Sequence, residues 1–342
     1  GLIRAARSLR IPCVDIQHGG IGDFHPMYTH FSRIPSEGYD LLPDFFWCWD
    51  TITQAAIETW LAPTVLSPRA VVGGHPRVIF ATRQSESELP ENERLFIESL
   101  KARSKVILFT LCNIPEFADP PFVFEAISKT PRDWLWLLRF HPLYQTPEIK
   151  SAFLSQLASY NITNYELEFA SRIPIRHLLR AAQHHVTGFS SAFYEALAEG
   201  VPTTMTNEVA HVFYKSWIER KVVTFAGNAD ELLAATNYSS PPTTAEVAVS
   251  MEIRPEVLLA TLSEILAERQ RREALANRLL AGGYEFHAAG NLSAAEALIT
   301  HGVGCNPLLA GAISDLAALR FLQGKQDDAE QLIRMALFMD EH

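Results

Sequence analysis

The stretch VDIQHGG (14–20) places an imidazole and two glycines directly after a predicted strand. Glycine lets a ligand approach the main chain, and His18 stands at the carboxyl end of the strand. Asp23 is the carboxylate nearest this loop. Either side chain could take a proton from a hydroxyl group as a general base, so His18 and Asp23 are the candidate catalytic residues. The alternative is that both only shape the loop.

The stretch LRFHP (138–142) ends a second, strongly apolar strand with a cation and an imidazole. Arg139 and His141 come at the carboxyl end of this strand, and Pro142 cannot continue a strand ladder. A guanidinium and an imidazole placed together suit a phosphate group. A solvated strand edge that binds no ligand is the alternative interpretation.

The stretch HHVTGFSSAFYEALAEGVPT predicts a short strand, a turn and a helix. Ser190 or Ser191 is expected to cap the helix, whose first backbone N–H groups attract an anion. Glu195 falls in the first turns of the same helix, within reach of a sugar hydroxyl. The loop at the end of an earlier strand would face this helix and adds Thr110 and Asn113 to the candidate nucleotide contacts. An ordinary capped helix is the alternative.

Strand and helix patterns alternate over residues 1–83 and again over 94–250. This alternation predicts an α/β fold with two Rossmann-like domains, each built on a parallel sheet. The polar, proline-containing segment 84–93 is the predicted linker. The opening residues LIRAARSLR have the pattern of a helix that feeds a strand, so the first domain is expected to be partial. Ligands bind at the carboxyl ends of parallel strands, so the two domains should face each other across a cleft.

Residues 255–342 are rich in Ala and Leu, carry no strand pattern and are predicted to form a helical tail. Small and apolar residues recur there at the spacing of a tetratricopeptide helix pair, namely Gly283, Phe286, Gly290, Ala295, Ile299, Gly302 and Pro307. A shift of 34 residues, the tetratricopeptide period, reaches Ala317, Gly324, Ala329, Ile333 and Ala336. The tail is net acidic and is predicted to contact a protein partner. A generic helical hairpin is the alternative.

Composition limits the class of protein. The chain of 342 residues has a formal net charge of −10, which argues against a nucleic-acid-binding surface. A hydrophobic fraction of 48% supplies packed cores, and the longest apolar runs are too short to cross a bilayer. The four cysteines form no C-x-x-C pair, as is typical of a reduced, cytoplasmic protein. Neither a P-loop nor a G-x-G-x-x-G fingerprint occurs, and no metal site is predicted.

The order of the motifs resembles a known family. A strand ending in QHG, the stretch PDFFWCWD, the turn GGHPR (73–77), a strand ending in HP, and TGFSSAFYEALAEGVP follow one another over about residues 1–240. This series is similar to bacterial surface-polysaccharide glycosyltransferases of the GT-B fold, in which two Rossmann-like domains face each other. Within them it looks most like the capsule-type enzymes: polysialyltransferases, Kdo transferases and teichoic-acid glycerophosphotransferases.

The resemblance implies an inverting glycosyltransferase that needs neither a metal ion nor a cofactor. In polysialyltransferase-like relatives the HP pair and the serine pair contact the CMP part of the donor, and those roles fall here on His141, Pro142, Ser190 and Ser191. The implied partners are a nucleotide sugar, CMP-linked by preference, and a surface or capsular glycan or glycolipid acceptor. The implied location is the cytoplasm, with attachment to the inner face of the membrane left open.

One part of the family pattern is absent. The relatives carry an acidic-acidic-glycine triplet for the catalytic base, and the nearest stretch here is SEG (36–38). The base is therefore expected either before Gly1 or at Asp23 or His18. Two other functions stay open. One is a UDP-sugar transferase or epimerase on the same fold, and the other is a non-catalytic scaffold that acts through its helical tail.

Overall fold

The computed structural model describes residues 2–8, 11–29, 42–61, 68–76, 78, 88–112, 118–142, 145–237, 255–306 and 309–340. Two parallel sheets accompanied by helices come first, and a set of helices follows them. The α/β fold class predicted from the alternation of strand and helix patterns is confirmed.

The first sheet is small. Its strands are β1 (Val14–Ile16), β2 (Phe45–Cys48) and β3 (Arg69–Val72), which run parallel in the order β1-β2-β3. Helix α1 (Leu2–Ser8) precedes β1, and helix α2 (Thr51–Trp60) follows β2. Every residue of the central strand β2 is buried, as expected for a strand that is covered on both faces.

Helix α2 begins where the sequence supplies a cap. Asp50, buried at the carboxyl end of β2, accepts a hydrogen bond from the backbone N–H of Thr53 at 2.8 Å, which satisfies one of the free donors of the first turn. Ile52, Ala56 and Ile57 follow at helical spacing and are buried. This cap and apolar stripe fix α2 against the sheet at the end where the candidate site lies.

The second sheet is parallel and has the strand order β6-β5-β4-β7-β8-β9. Its strands are β4 (Lys105–Thr110), β5 (Trp134–Arg139), β6 (Tyr165–Glu166), β7 (His184–Thr187), β8 (Thr203–Met205) and β9 (Thr224–Phe225). From β4 the chain moves outward to β5 and β6, returns to β7 on the other side of β4, and moves outward again. The boundary between β4 and β7 is therefore a topological switch point, the place where ligands bind in open α/β sheets.

Helices cover both faces of the second sheet. They are α3 (Glu91–Leu100), α4 (Pro121–Ser128), α5 (Pro147–Ser159), α6 (Glu168–Arg172), α7 (Ile175–Ala181), α8 (Phe193–Ala198), α9 (Glu208–Phe213), α10 (Lys215–Glu219) and α11 (Ala229–Asn237). Ile107 and Phe109 of β4 lie in one core cluster, whereas Val106 and Leu108 lie in another. Successive side chains of a strand point to opposite faces, so β4 supplies the core on both sides.

The last part of the structure is a helical tail with its own core. Its helices are α12 (Pro255–Ala288), α13 (Leu292–Cys305), α14 (Ala310–Leu322) and α15 (Gln326–Asp340). Gly290 and Gly324 both have positive φ, of 75° and 80°, and each lies in a turn between helices, where glycine adopts this conformation without steric cost. Helices α12 and α13 approach closely at Gly283, because a Cβ there would lie 2.6 Å from Cγ1 of Ile299.

The segment expected as a linker over 84–93 is partly helical, because α3 begins at Glu91. Residues 84–87 lie outside the described part of the chain. Glu91 and Glu93 stand in the first turn of α3, where carboxylates interact favourably with the helix dipole. The polar composition that suggested a linker is therefore partly that of a helix start. The predicted domain boundaries stay predictions.

Candidate functional site

The carboxyl end of the first sheet faces helices that follow β7 and β8 of the second. Trp49 and Ile52, just after β2, are buried in one core cluster with Phe193 of α8 and with Tyr214. The rings of Trp49 and Tyr194 meet edge to face, with 4.9 Å between their centroids. The two sheets therefore meet at the edge where parallel strands present their functional loops.

A buried polar network joins the two sides of this junction. The side chain of Gln17, after β1, accepts a hydrogen bond from the Trp49 N–H at 2.7 Å, and its amide nitrogen lies 3.5 Å from the Tyr194 hydroxyl. The Thr53 hydroxyl lies 3.3 Å from the same Tyr194 oxygen and donates to Asp50 at 2.8 Å. Burial raises the pKa of Asp50 to about 6, although the hydrogen bonds from Thr53 oppose this.

The HGG loop after β1 is fixed against the second sheet's helices. The Asp23 carboxylate accepts two hydrogen bonds from Ser216, one from the backbone N–H at 3.0 Å and one from the hydroxyl at 2.8 Å. Gly20 packs so tightly on Tyr214 that a Cβ there would lie 1.9 Å from the hydroxyl oxygen. His18 is exposed. Both predicted catalytic residues thus lie in one loop at the junction, but the Asp23 oxygens are engaged with Ser216.

Threonine hydroxyls and a histidine surround the switch point. The Thr187 hydroxyl, at the end of β7, donates to the Thr110 carbonyl at 3.2 Å. The Thr110 hydroxyl lies 3.0 Å from Nε2 of His185, whose Nδ1 lies 3.1 Å from the Thr203 hydroxyl. Burial lowers the pKa of His185 to about 3, so the ring is neutral. The Thr110 side chain, a predicted nucleotide contact, is thus part of a buried network that aligns the strand ends.

The serine pair after β7 shapes the turn rather than the helix start. Ser190 donates its backbone N–H to the Thr187 hydroxyl at 3.0 Å, and the Ser190 hydroxyl accepts from the Ala192 N–H at 3.2 Å. Helix α8 begins at Phe193, its cap residue is Ala192, and no side chain caps it. The expectation that Ser190 or Ser191 caps the helix is therefore wrong, because the turn ends one residue later. Both serines are half-buried at the switch point.

The end of β5 separates a bound cation from an exposed imidazole. Nη1 of Arg139 donates to the carbonyls of Ala170 and Ile173 at 2.5 and 2.6 Å, which hold the loop around α6. Burial lowers the pKa of Arg139 to about 10, while the charge of Glu195 on α8 acts in the opposite direction. His141 and Pro142 follow and are exposed.

The strand register brings several predicted site residues together. Thr110 is the direct neighbour of Arg139 on one side and of Thr187 on the other. Glu195 lies in the first turn of α8, close enough to act electrostatically on Arg139. Asn113 lies outside the described residues.

Sequence reasoning missed three groups at this junction. Tyr194 and Asp50 belong to the buried network, and their signal was present as a carboxylate directly after the strand FFWC. Asp119 accepts a hydrogen bond from the Cys112 N–H at 2.9 Å and is partly exposed as a residue. No local pattern distinguished it from other loop carboxylates, because its importance comes from burial of one oxygen by residues distant in sequence.

Two negative findings concern the described residues only. Within these ranges no group of three or more His, Cys, Asp or Glu side chains could hold a metal ion. No helix that the structure describes is both long and apolar enough to cross a membrane.

Comparison with known proteins identifies a fold but no family. No protein-family model and no curated protein matches the chain. Among solved structures, a UDP-GlcNAc 2-epimerase from Neisseria meningitidis bound to UDP-GlcNAc gives a TM-score of 0.51 at 15% identity, covering 77% of this chain and 72% of that one. A Listeria monocytogenes structure assigned to the same enzyme gives 0.49 at 14% identity, covering 72% of this chain and 66% of that one.

A third structure is shorter. The C-terminal CMP-Kdo binding domain of WaaA from Acinetobacter baumannii is 16% identical, with a TM-score of 0.32, and covers 50% of this chain and 98% of that one. The two parallel sheets that meet at their carboxyl ends, together with the likeness to the Neisseria structure, define the GT-B fold. The fold expected from the motif order is therefore confirmed.

Proposed function

We propose that this chain is an enzyme that binds a nucleotide sugar at the switch point between β4 and β7 and transfers its sugar to a glycan. The observation that carries the proposal is the placement of the strand-end loops. Thr110, Arg139 and Thr187 are adjacent in register at one edge of the second sheet, and the HGG loop of the first sheet packs on helices that follow the same edge. Open α/β sheets bind ligands at this position.

The nucleotide contacts fall on the residues that the motif resemblance selected. His141 and Pro142 are exposed beyond β5, and Ser190 and Ser191 line the turn after β7. Glu195 would accept a hydrogen bond from a ribose hydroxyl. The motif order favours a CMP-linked donor, with Asn113 as a further contact.

Group transfer requires a base for the acceptor hydroxyl and stabilisation of the departing phosphate. His18 is the better placed of the two candidate bases, because its side chain is exposed whereas Asp23 accepts two hydrogen bonds from Ser216. In this scheme Asp23 holds the loop and His18 takes the proton. His141 and the backbone N–H groups of the turn after β7 receive the negative charge of the phosphate.

Calorimetry with CMP, CDP and UDP tests nucleotide binding directly. We expect one of the three to bind and to raise the midpoint of thermal unfolding. His141→Ala should weaken that binding, while Arg132→Ala, in an exposed turn at the opposite edge of the sheet, should not. If none of the three nucleotides binds, the proposal is wrong and the α/β part is a scaffold.

A second candidate is an epimerase that acts on a UDP-sugar. Support comes from the Neisseria structure, which has the same fold and was solved with UDP-GlcNAc. An epimerase acts on its nucleotide sugar without an acceptor, whereas a transferase requires one. Incubation with UDP-GlcNAc alone, followed by NMR of the sugar C2 proton, separates the two. Inversion at C2 without an acceptor would favour the epimerase.

The helical tail is proposed to be a tetratricopeptide-like module that contacts a protein. The two positive-φ glycines recur at the 34-residue spacing of such repeats. A groove of about 750 Å³ between α14 and α15 is lined by apolar side chains that include Phe321, Leu322 and Ile333. We place the protein in the cytoplasm, in keeping with cysteines that are all free. Attachment to the inner face of the membrane, next to a glycolipid acceptor, belongs to the same proposal.

A further inference from the structure

Asp119 lies in the loop that leads from the end of β4 to helix α4. Its Oδ2 accepts a hydrogen bond from the backbone N–H of Cys112 at 2.9 Å, two residues beyond the last residue of β4. The preceding residue, Ala118, accepts through its carbonyl from the side-chain amide of Asn207 at 3.3 Å. Asn207 is the cap of α9 and follows β8. Asp119 is thus held from strands on both sides of the switch point.

The second carboxyl oxygen of Asp119 is in a different situation. Oδ1 is buried and accepts no hydrogen bond from any residue that the structure describes. A buried carboxylate oxygen without a donor is unfavourable unless the group is protonated or meets a ligand. Burial accordingly raises the pKa of Asp119 to about 8, with the Cys112 N–H opposing the shift. At neutral pH the side chain is therefore mainly the neutral acid, with a proton to donate.

The groups around Asp119 do not supply the missing partner. Burial raises the pKa of the Cys112 thiol to about 12, and the carboxyl of Asp119 adds to this shift. Tyr214, on which Cys112 acts electrostatically, also has its pKa raised by burial. The charged or titratable residues on the other elements at this edge are Arg139 of β5, Glu195 of α8, and Glu208 and His211 of α9. Cys112 and Tyr214 therefore stay neutral over the pH range in which Asp119 ionises.

We propose that Asp119 is a phosphate-binding residue that, as the neutral acid, donates its Oδ1 proton to a phosphate oxygen of the nucleotide. This inference rests on the proposed function, since it places the phosphate at the switch point. An ionised carboxylate at this position would repel a phosphate, whereas a neutral acid offers it a hydrogen bond and no charge. The arrangement makes nucleotide binding dependent on the protonation of one side chain.

The consequence is a loss of affinity at alkaline pH. With a pKa of about 8, the protonated fraction of Asp119 falls about tenfold between pH 7 and pH 9. Affinity for a nucleotide should fall by the same factor. Affinity for the matching nucleoside, which has no phosphate, should not change through Asp119.

The experiment measures affinity by calorimetry at pH 7 and pH 9 for CMP and cytidine, or for UMP and uridine if CMP does not bind. The wild-type chain is compared with Asp119→Asn and with Asp133→Asn, an exposed carboxylate in a turn before β5. Asparagine keeps an acceptor for the Cys112 N–H and a donor for the phosphate at every pH. We expect the wild type and Asp133→Asn to lose about tenfold in nucleotide affinity at pH 9 relative to Asp119→Asn.

The outcomes separate this inference from the proposed function. Nucleotide binding that changes equally with pH in the wild type and in Asp119→Asn would overturn the role of Asp119 and leave nucleotide binding intact. No binding of either nucleotide at either pH would overturn both. If Asp119→Asn fails to fold, the wild type decides, because an equal fall for nucleotide and nucleoside would contradict a contact to phosphate.

Discussion

At the scale of single residues, Arg139 and His141 divide a role that the sequence assigned to them jointly. Arg139 binds two carbonyls that belong to the buried residues Ala170 and Ile173. His141 is exposed two residues later. A cation that satisfies buried carbonyls contributes to folding, and an exposed imidazole at a strand end is the group that remains for a ligand.

Arg139→Ala should therefore lower the free energy of unfolding by about 2–4 kcal/mol, because two charge-assisted hydrogen bonds are lost. His141→Ala should change it by no more than about 0.5 kcal/mol while weakening nucleotide binding about tenfold. Urea unfolding and calorimetry measure the two effects, with Arg132→Ala as the control. A stable Arg139→Ala variant that fails to bind nucleotide would return Arg139 to the phosphate site.

Asp50 gives the junction of the two sheets a pH dependence. Its folded-state pKa of about 6 lies above its ordinary value of 3.8, so its stabilising contribution is complete below about pH 4 and is lost as the pH rises through 6. Between pH 4 and pH 7 the wild type should lose up to about 3 kcal/mol of unfolding free energy relative to Asp50→Asn. Urea unfolding at each pH measures this difference. Parallel curves for the two proteins would mean that Asp50 is ionised throughout.

At the scale of elements, close backbone packing holds the HGG loop on the second sheet's helices. A methyl group at Gly20 would collide with the buried Tyr214, whereas one at Gly19 would meet no atom within 4 Å. Gly20→Ala should therefore destabilise the protein by about 1–3 kcal/mol, and Gly19→Ala should not, in thermal unfolding. Tyr214→Phe should recover part of the loss. Equal stability of both alanine variants would show that the loop is free to move away.

The same reasoning applies to the crossing of α12 and α13. Alanine normally stabilises a helix interior relative to glycine by about 1 kcal/mol, and Gly311 of α14 has open space for a methyl group. At Gly283 the added carbon would lie 2.6 Å from Ile299, which requires the helices to separate. Gly311→Ala should raise the thermal midpoint, and Gly283→Ala should lower it. A rise for both would mean that the two helices pack less tightly than the structure indicates.

At the scale of the whole molecule, the tail has a hydrophobic core of its own, formed by residues of α12 to α15. Removal of 255–342 should leave nucleotide affinity within about twofold of the full chain. A cut at Leu279 would instead divide the continuous helix α12 and expose Leu280, which is 7% exposed in the intact tail. Calorimetry on the two truncated chains checks this. Complete loss of binding after removal of 255–342, with far-UV circular dichroism still that of a folded α/β protein, would place the tail in the site.

The sequence by itself determined the element pattern and the order of the strand-end motifs, because strand and helix periodicities are local properties of the chain. It therefore predicted the α/β fold, the helical tail and the loops that carry His18, His141 and Ser190. Only the tertiary structure decided which strand-end side chains remain available to a ligand. Ser216 engages Asp23, two carbonyls engage Arg139, and one oxygen of Asp119 is buried. Hydrogen bonding and burial of this kind depend on contacts between residues far apart in sequence, which no local pattern records.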